Sequence, residues 1–244
     1  MKPRPISIVV KCILVVVLAV LIALSVRSKI ENSKKFDYSA VLDETAYTLD
    51  GENVTFGDLA YFIARQESLM EEEAKVYNRK NTRDFWNAHA NGVFISVAGK
   101  NAVRDTSVHD ILMYNLAVEE GLSLSEEQEA EVENVILDFW MDLQDGQKEK
   151  LLTFTTEEEV RQRIYNKALA EVYQDELAKA GNHAYVYYDS DGEGYEKILK
   201  EHELTINKKL WKKMVLGNIT ISHGAASYIN GYDPGEKEDE TGKK

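Results

Sequence analysis

The sequence predicts a mainly α protein: a small helical bundle with one β-hairpin and a short C-terminal strand, preceded by one transmembrane helix. Three observations predict it. Only 3 of the 244 residues are proline, so little interrupts helix interiors. Apolar residues recur at helical spacing through most of the body. Near the N-terminus, the run from Cys12 to Val26 holds no charge.

That run, extended back through Lys11 to Ile6, gives about 21 residues, close to the ~20 of a membrane span. Lys11 interrupts it, but a lysine stem reaches the interface from there. Two readings fit: an uncleaved signal anchor, and a signal peptide with a basic start and small residues Ala23 and Ser25 before a cleavage site. The anchor is the expectation adopted. Basic residues lie on both sides (Lys2, Arg4 and Lys11; Arg27, Lys29, Lys34 and Lys35), so the positive-inside rule does not set the orientation. The body is placed outside the cytoplasm because an apolar segment ahead of a large domain normally acts as an export signal. If the segment is cleaved, the body is secreted. Residues 1–35 are thus anchor and start of the stalk, and 36–222 the helical domain, with a core at 46–180 and a returning segment at 206–221. Residues 223–244 form a charged tail expected to be disordered.

Within the body, Tyr47 and Leu49 alternate with polar neighbours, Asp50-Gly51 is a turn signal and Val54 follows, which predicts a hairpin. Thr55 with Asp58 resembles a capping box. The helix it opens spans roughly Phe56 to Arg79, with Leu59, Phe62, Ile63, Leu69, Met70, Val76 and Tyr77 on one face. Glu71, Glu72 and Lys75 are assigned to the opposite face. Residues 80–105 read as irregular. A second helix runs from Ser107 to Glu120, with Val108, Ile111, Leu112 and Leu116 inward and Gly121 as its stop. Ser125 with Gln128 opens a third, burying Val132, Val135, Ile136, Phe139, Trp140 and Leu143. Thr156 with Glu159 opens a fourth, burying Val160, Ile164, Leu169, Val172 and Tyr173 and ending at Gly181. Ala184 to Tyr188 is β-prone, Gly194 to Glu203 a short helix, and Asn207 to Met214 another, burying Leu210, Trp211 and Met214. Gly217 to Ile221 reads as the final strand.

A net charge of -13 argues against nucleic acid, because no basic patch exists to displace counterions, and against a helix lying flat on an anionic membrane. The single cysteine, Cys12, leaves the body without disulfides or thiol chemistry. His89, His109, His183, His202 and His223 stand without a second histidine or a cysteine at metal-ligand spacing, and no phosphate, dinucleotide, zinc-protease or nucleophile-elbow motif is present. Asp189-Ser-Asp-Gly-Glu-Gly194 matches the first half of a calcium loop, but its twelfth position holds Lys200 where a bidentate Glu is needed; a solvated turn is the favoured reading. Asn53-Val-Thr55 and Asn218-Ile-Thr220 are glycosylation sequons of little weight. No catalytic residue, cofactor or metal is expected. The aromatic residues are core by default. The functional reading assigns Trp86, Phe94, Tyr114, Phe139 and Trp140 to an apolar groove for extended polypeptide, since rings give large contact area at little entropic cost.

The order of these elements carries a resemblance. Leu49-Asp-Gly-Glu-Asn-Val-Thr55, then Asp58-Leu-Ala60, resembles the opening of SurA-type chaperone domains. Asp84-Phe-Trp86 follows, then Glu119-Glu-Gly-Leu-Ser-Leu-Ser-Glu-Glu-Gln128, similar to that family's link between helices, then Thr156-Glu-Glu-Glu159. Ile206-Asn-Lys-Lys-Leu-Trp211 looks like the returning C-terminal helix. The resemblance covers about 46–180 and touches 206–221. It implies a module of the SurA, PrsA and trigger-factor kind that holds unfolded chains. Many members carry a parvulin-type prolyl isomerase between the fourth helix and the returning one. Here Gly181 to Asn207 leaves about 25 residues, fewer than the ~40 an independent domain needs. The expectation is therefore a membrane-anchored, extracytoplasmic chaperone or holdase without isomerase activity, with unfolded exported polypeptides as partners and a homodimer admitted. The alternative is a structural or regulatory module docking one folded partner.

Overall fold

The computed structural model describes residues 36–90 and 92–222. The chain divides into two units, residues 1–36 and 37–244, and the helical fold lies in the second. The expected anchor and tail lie outside the described residues. Among the described residues, no helix is long and apolar enough to cross a membrane.

In chain order the elements are β1 (Thr45–Leu49), β2 (Glu52–Thr55), α1 (Ala60–Tyr77), α2 (Arg83–Trp86), β3 (His89–Ala90), β4 (Val93–Phe94) and α3 (Ile95–Glu119). They continue as α4 (Glu126–Asp142), α5 (Gln147–Leu151), α6 (Glu157–Gly181), α7 (Glu193–Leu199), β5 (Leu204–Ile206) and α8 (Lys208–Lys213). The protein is mainly helical, as predicted.

Local chemistry sets the ends. β1 and β2 pair antiparallel across Asp50-Gly51, whose φ angles of 50° and 84° are the left-handed pair that a two-residue hairpin turn requires. Thr55 and Asp58 satisfy each other reciprocally: the Thr55 amide donates to Asp58 Oδ2 (2.8 Å) and the Asp58 amide to Thr55 Oγ1 (3.2 Å). The helical path begins there as a single 3-10 turn, Gly57–Leu59, before α1. Full capping boxes open α4 at Ser125 and Gln128 and α6 at Thr156 and Glu159. Gly121, at φ 73°, ends α3 in a conformation with little steric cost only for glycine.

α3 and α6, each of 25 residues and so about 37 Å long, lie along one another as the spine. α1 packs on α3, and α4 on α6. Tyr47, Phe56, Leu59, Ile63, Leu112, Met113, Leu151, Met214 and Leu216 are fully buried, each contributing about 1.5–3 kcal/mol.

Several expectations are corrected. The stretch 80–105 is largely ordered, because α3 begins at Ile95, twelve residues ahead of the expected start at Ser107. α5 was not foreseen; its Gln147 is fully buried and donates to the Ala64 carbonyl and to Thr220 Oγ1, both at 2.8 Å. Ala184 to Tyr188 holds a 3-10 turn, Tyr185–Tyr188, in place of a strand. The strand β5 forms instead at Leu204–Ile206 and pairs antiparallel with β1, giving the sheet order β2-β1-β5. The segment from Gly217 to Ile221 is no strand, because its amides turn inward to a buried carboxylate. Asn207 does cap a helix: its Oδ1 accepts from the Leu210 amide at 3.3 Å, and Trp211 and Met214 are buried while Leu210 is half-buried. Val76 and Tyr77, assigned inward, are exposed.

Candidate polypeptide-binding groove

The buried carboxylate is Glu67, on α1 and fully inaccessible. Its Oε1 accepts from the amides of Gly217 (2.5 Å) and Ile219 (3.2 Å). Its Oε2 accepts from the Thr220 amide (2.6 Å), the Thr220 hydroxyl (2.5 Å) and the Ile221 amide (3.2 Å). Burial pushes this carboxyl above its ordinary range, while Thr220 and the loop amides pull it back. One turn along, Glu71 Oε2 accepts the indole N–H of Trp86 at 2.9 Å. Glu71 is therefore buried and not on the polar face assigned to it. Gly217 completes the junction: at φ 93°, a Cβ there would lie 2.9 Å from Trp86 Cε3. These contacts hang the segment 214–221 on α1 and fix one wall of a groove.

The groove lies between α1 and α4 and encloses about 1000 Å³. Tyr61 and Phe139 meet across it with ring centroids 5.2 Å apart. Burial pushes the Tyr61 phenol up to about 12, with Arg65 pulling it down, so it is uncharged at neutral pH. The turn after α4 closes one end: the Ser68 hydroxyl donates to the Asp142 carbonyl (2.7 Å), Gln144 Nε2 donates to Glu72 Oε1 (2.7 Å), and Lys75 Nζ donates to the same carboxylate (3.1 Å). Those bonds hold Glu72 below the usual carboxylate range, Gln144 first and Lys75 second. Three apolar side chains on the lining face solvent: Leu69 and Val135, each 49% exposed, and Met141, 79% exposed. Each would recover burial energy by covering. Ile221 and Ser222 complete the lining.

Of the five aromatic residues assigned to a groove, Phe139 alone lines this one. Trp86 is 3% exposed and is spent on Glu71 and Gly217. Phe94 is half-buried and lies tilted against His89, centroids 3.6 Å apart, in the β3–β4 hairpin. Tyr114 is half-buried on α3 beside a cavity of about 190 Å³ with Asp110 and Arg163. Trp140 packs edge-on to Phe139 with Lys148 Nζ 4.7 Å above its ring. Sequence reasoning missed Leu69 and Met141 as groove residues, and Glu67 as the group that builds the wall. In the calcium-like stretch, Asp189 Oδ1 accepts from Gln174 Nε2 at 2.7 Å. Among the described residues, no group of three His, Cys, Asp or Glu side chains is placed to hold a metal ion. His109 is buried between Asp110 Oδ1 (2.9 Å) and the Tyr188 carbonyl (3.0 Å), and His223 lies outside the described residues.

Fold and groove together define a helical protein with a solvent-open, partly apolar cleft. No protein-family model, curated protein or solved structure matches the chain.

Proposed function

We propose that this chain is a holdase: its helical body binds unfolded polypeptide in the groove between α1 and α4, without catalysis. The carrying observation is the exposure of Leu69, Val135 and Met141 on the walls of one cleft whose floor is Tyr61 and Phe139. Side chains of this kind, facing water in a concave site, favour a partner with apolar residues and no fixed sequence. The N-terminal apolar run supports tethering to a membrane with the body outside the cytoplasm. The resemblance to the SurA and PrsA group, read from the ordered sequence elements, favours exported chains as clients.

The test is suppression of aggregation. The full chain in lipid nanodiscs, mixed near-stoichiometrically with several unrelated denatured proteins, should keep each soluble, and Leu69→Asp with Val135→Asp should lose that capacity. Absence of suppression, with one folded protein co-purifying in its place, assigns the same face to a docking module.

A further inference from the structure

We infer that the groove selects apolar segments flanked by lysine or arginine, an inference that rests on the holdase reading. Asp138, Asp142 and Asp145 line the α4 side and its following turn. All three are exposed, and none is in an ion pair among the described residues. Asp138 and Asp142 are one helical turn apart, where like charges repel. On the α1 side, Lys75 is engaged by Glu72 at 3.1 Å, which leaves Arg65 as the cation of the lining without an ion pair. The lining thus combines apolar side chains from both helices with carboxylates of α4 and its following turn that are in no ion pair among the described residues.

A client whose apolar centre covers Leu69, Val135 and Phe139 brings its flanks beside those carboxylates. Cationic flanks relieve the repulsion and anionic flanks add to it, so the carboxylates both attract one class and reject the other. A second copy of this chain is disfavoured on the same face by its own net charge of -13.

The experiment uses the full chain in nanodiscs of zwitterionic lipid and three fluorescent peptides sharing one apolar centre, flanked by Lys, Ser or Glu. Anisotropy gives their affinities at about 0.1 M and about 1 M salt, across which the screening length falls from about 10 Å to about 3 Å. The Lys-flanked peptide should bind about tenfold tighter than the Glu-flanked one at low salt and lose most of that advantage at high salt. Asp138→Asn with Asp142→Asn and Asp145→Asn, its fold checked by circular dichroism, should erase the difference between the Lys-flanked and Glu-flanked affinities. Equal affinities for all three peptides, or a preference that survives the triple variant, overturn this inference and leave the holdase reading standing. Binding of none of the three overturns both.

Discussion

Replacing Glu67 by glutamine tests what holds the C-terminal segment in place. The side chain keeps its shape, but one acceptor oxygen becomes an NH₂ group facing donors. If the remaining oxygen serves Thr220 and Ile221, the amides of Gly217 and Ile219, now bonded to Oε1, lose their acceptor. Two stranded donors at about 1–3 kcal/mol each give about 2–6 kcal/mol. Glu67→Ala strands every donor, and the segment then lets go. Its cost is set by the exposure of Met214, Leu216 and Ile219, all buried, at about 1.5–3 kcal/mol each, or about 5–9 kcal/mol together. That approaches the whole stability of a typical domain. Urea unfolding followed by tryptophan fluorescence reads both, since the Trp86 ring sits against Gly217; amide exchange over 214–222 should accelerate first. A Glu67→Gln variant within about 0.5 kcal/mol of the parent, the range of ordinary surface changes, refutes the reasoning.

Other expectations follow from the same geometry. Gly217→Ala places a Cβ 2.9 Å from Trp86 at a φ of 93° and should cost about 1–3 kcal/mol, read as a lowered urea midpoint. Trp86→Phe removes one donor to the Glu71 carboxylate and should cost about 1.5–3 kcal/mol, the range for a hydrogen bond to a charged group, read as a lowered urea midpoint. Phe139→Ala should weaken peptide binding severalfold in the anisotropy assay. The Glu203 amide, and then His202, hold the Asp50 carboxyl below its ordinary range. Its stabilisation is therefore present above the unfolded value of about 3.9 and is lost as pH falls through the lowered folded value. Acid titration of Asp50→Asn should show a flatter loss of stability below about pH 4.

The parts of the fold legible in the sequence are those governed by near neighbours. The boxes at Ser125 and Thr156 and the stop at Gly121 act within three or four residues, so spacing reveals them. The early start of α3 was hidden by Ser96, Gly99 and polar neighbours, which suit a close approach to α1 but carry no apolar stripe. Gly217 to Ile221 has the composition of a strand; its amides had a choice of partner, and the choice was made by a glutamate 150 residues away at its nearest donor. Leu204 to Ile206 was too short to read as a strand until β1 lay beside it. Within the site, Phe139 was legible as part of an apolar stripe. Trp86 was misassigned because a large ring announces burial or binding equally well. Leu69 and Val135 sat in stripes whose outward members only packing could identify.

The separation between Glu67 and its donors also bears on the order of synthesis. The chain is made from the N-terminus at about 5–20 residues per second, so a gap of 150 residues takes about 8–30 s. Throughout that interval the helix bearing Glu67 exists without the loop that answers it, and the groove lacks a wall. A nascent molecule can complete its helical spine early yet acquires its cleft only when the final stretch has emerged, so premature termination near residue 215 should yield helical product with no working cleft.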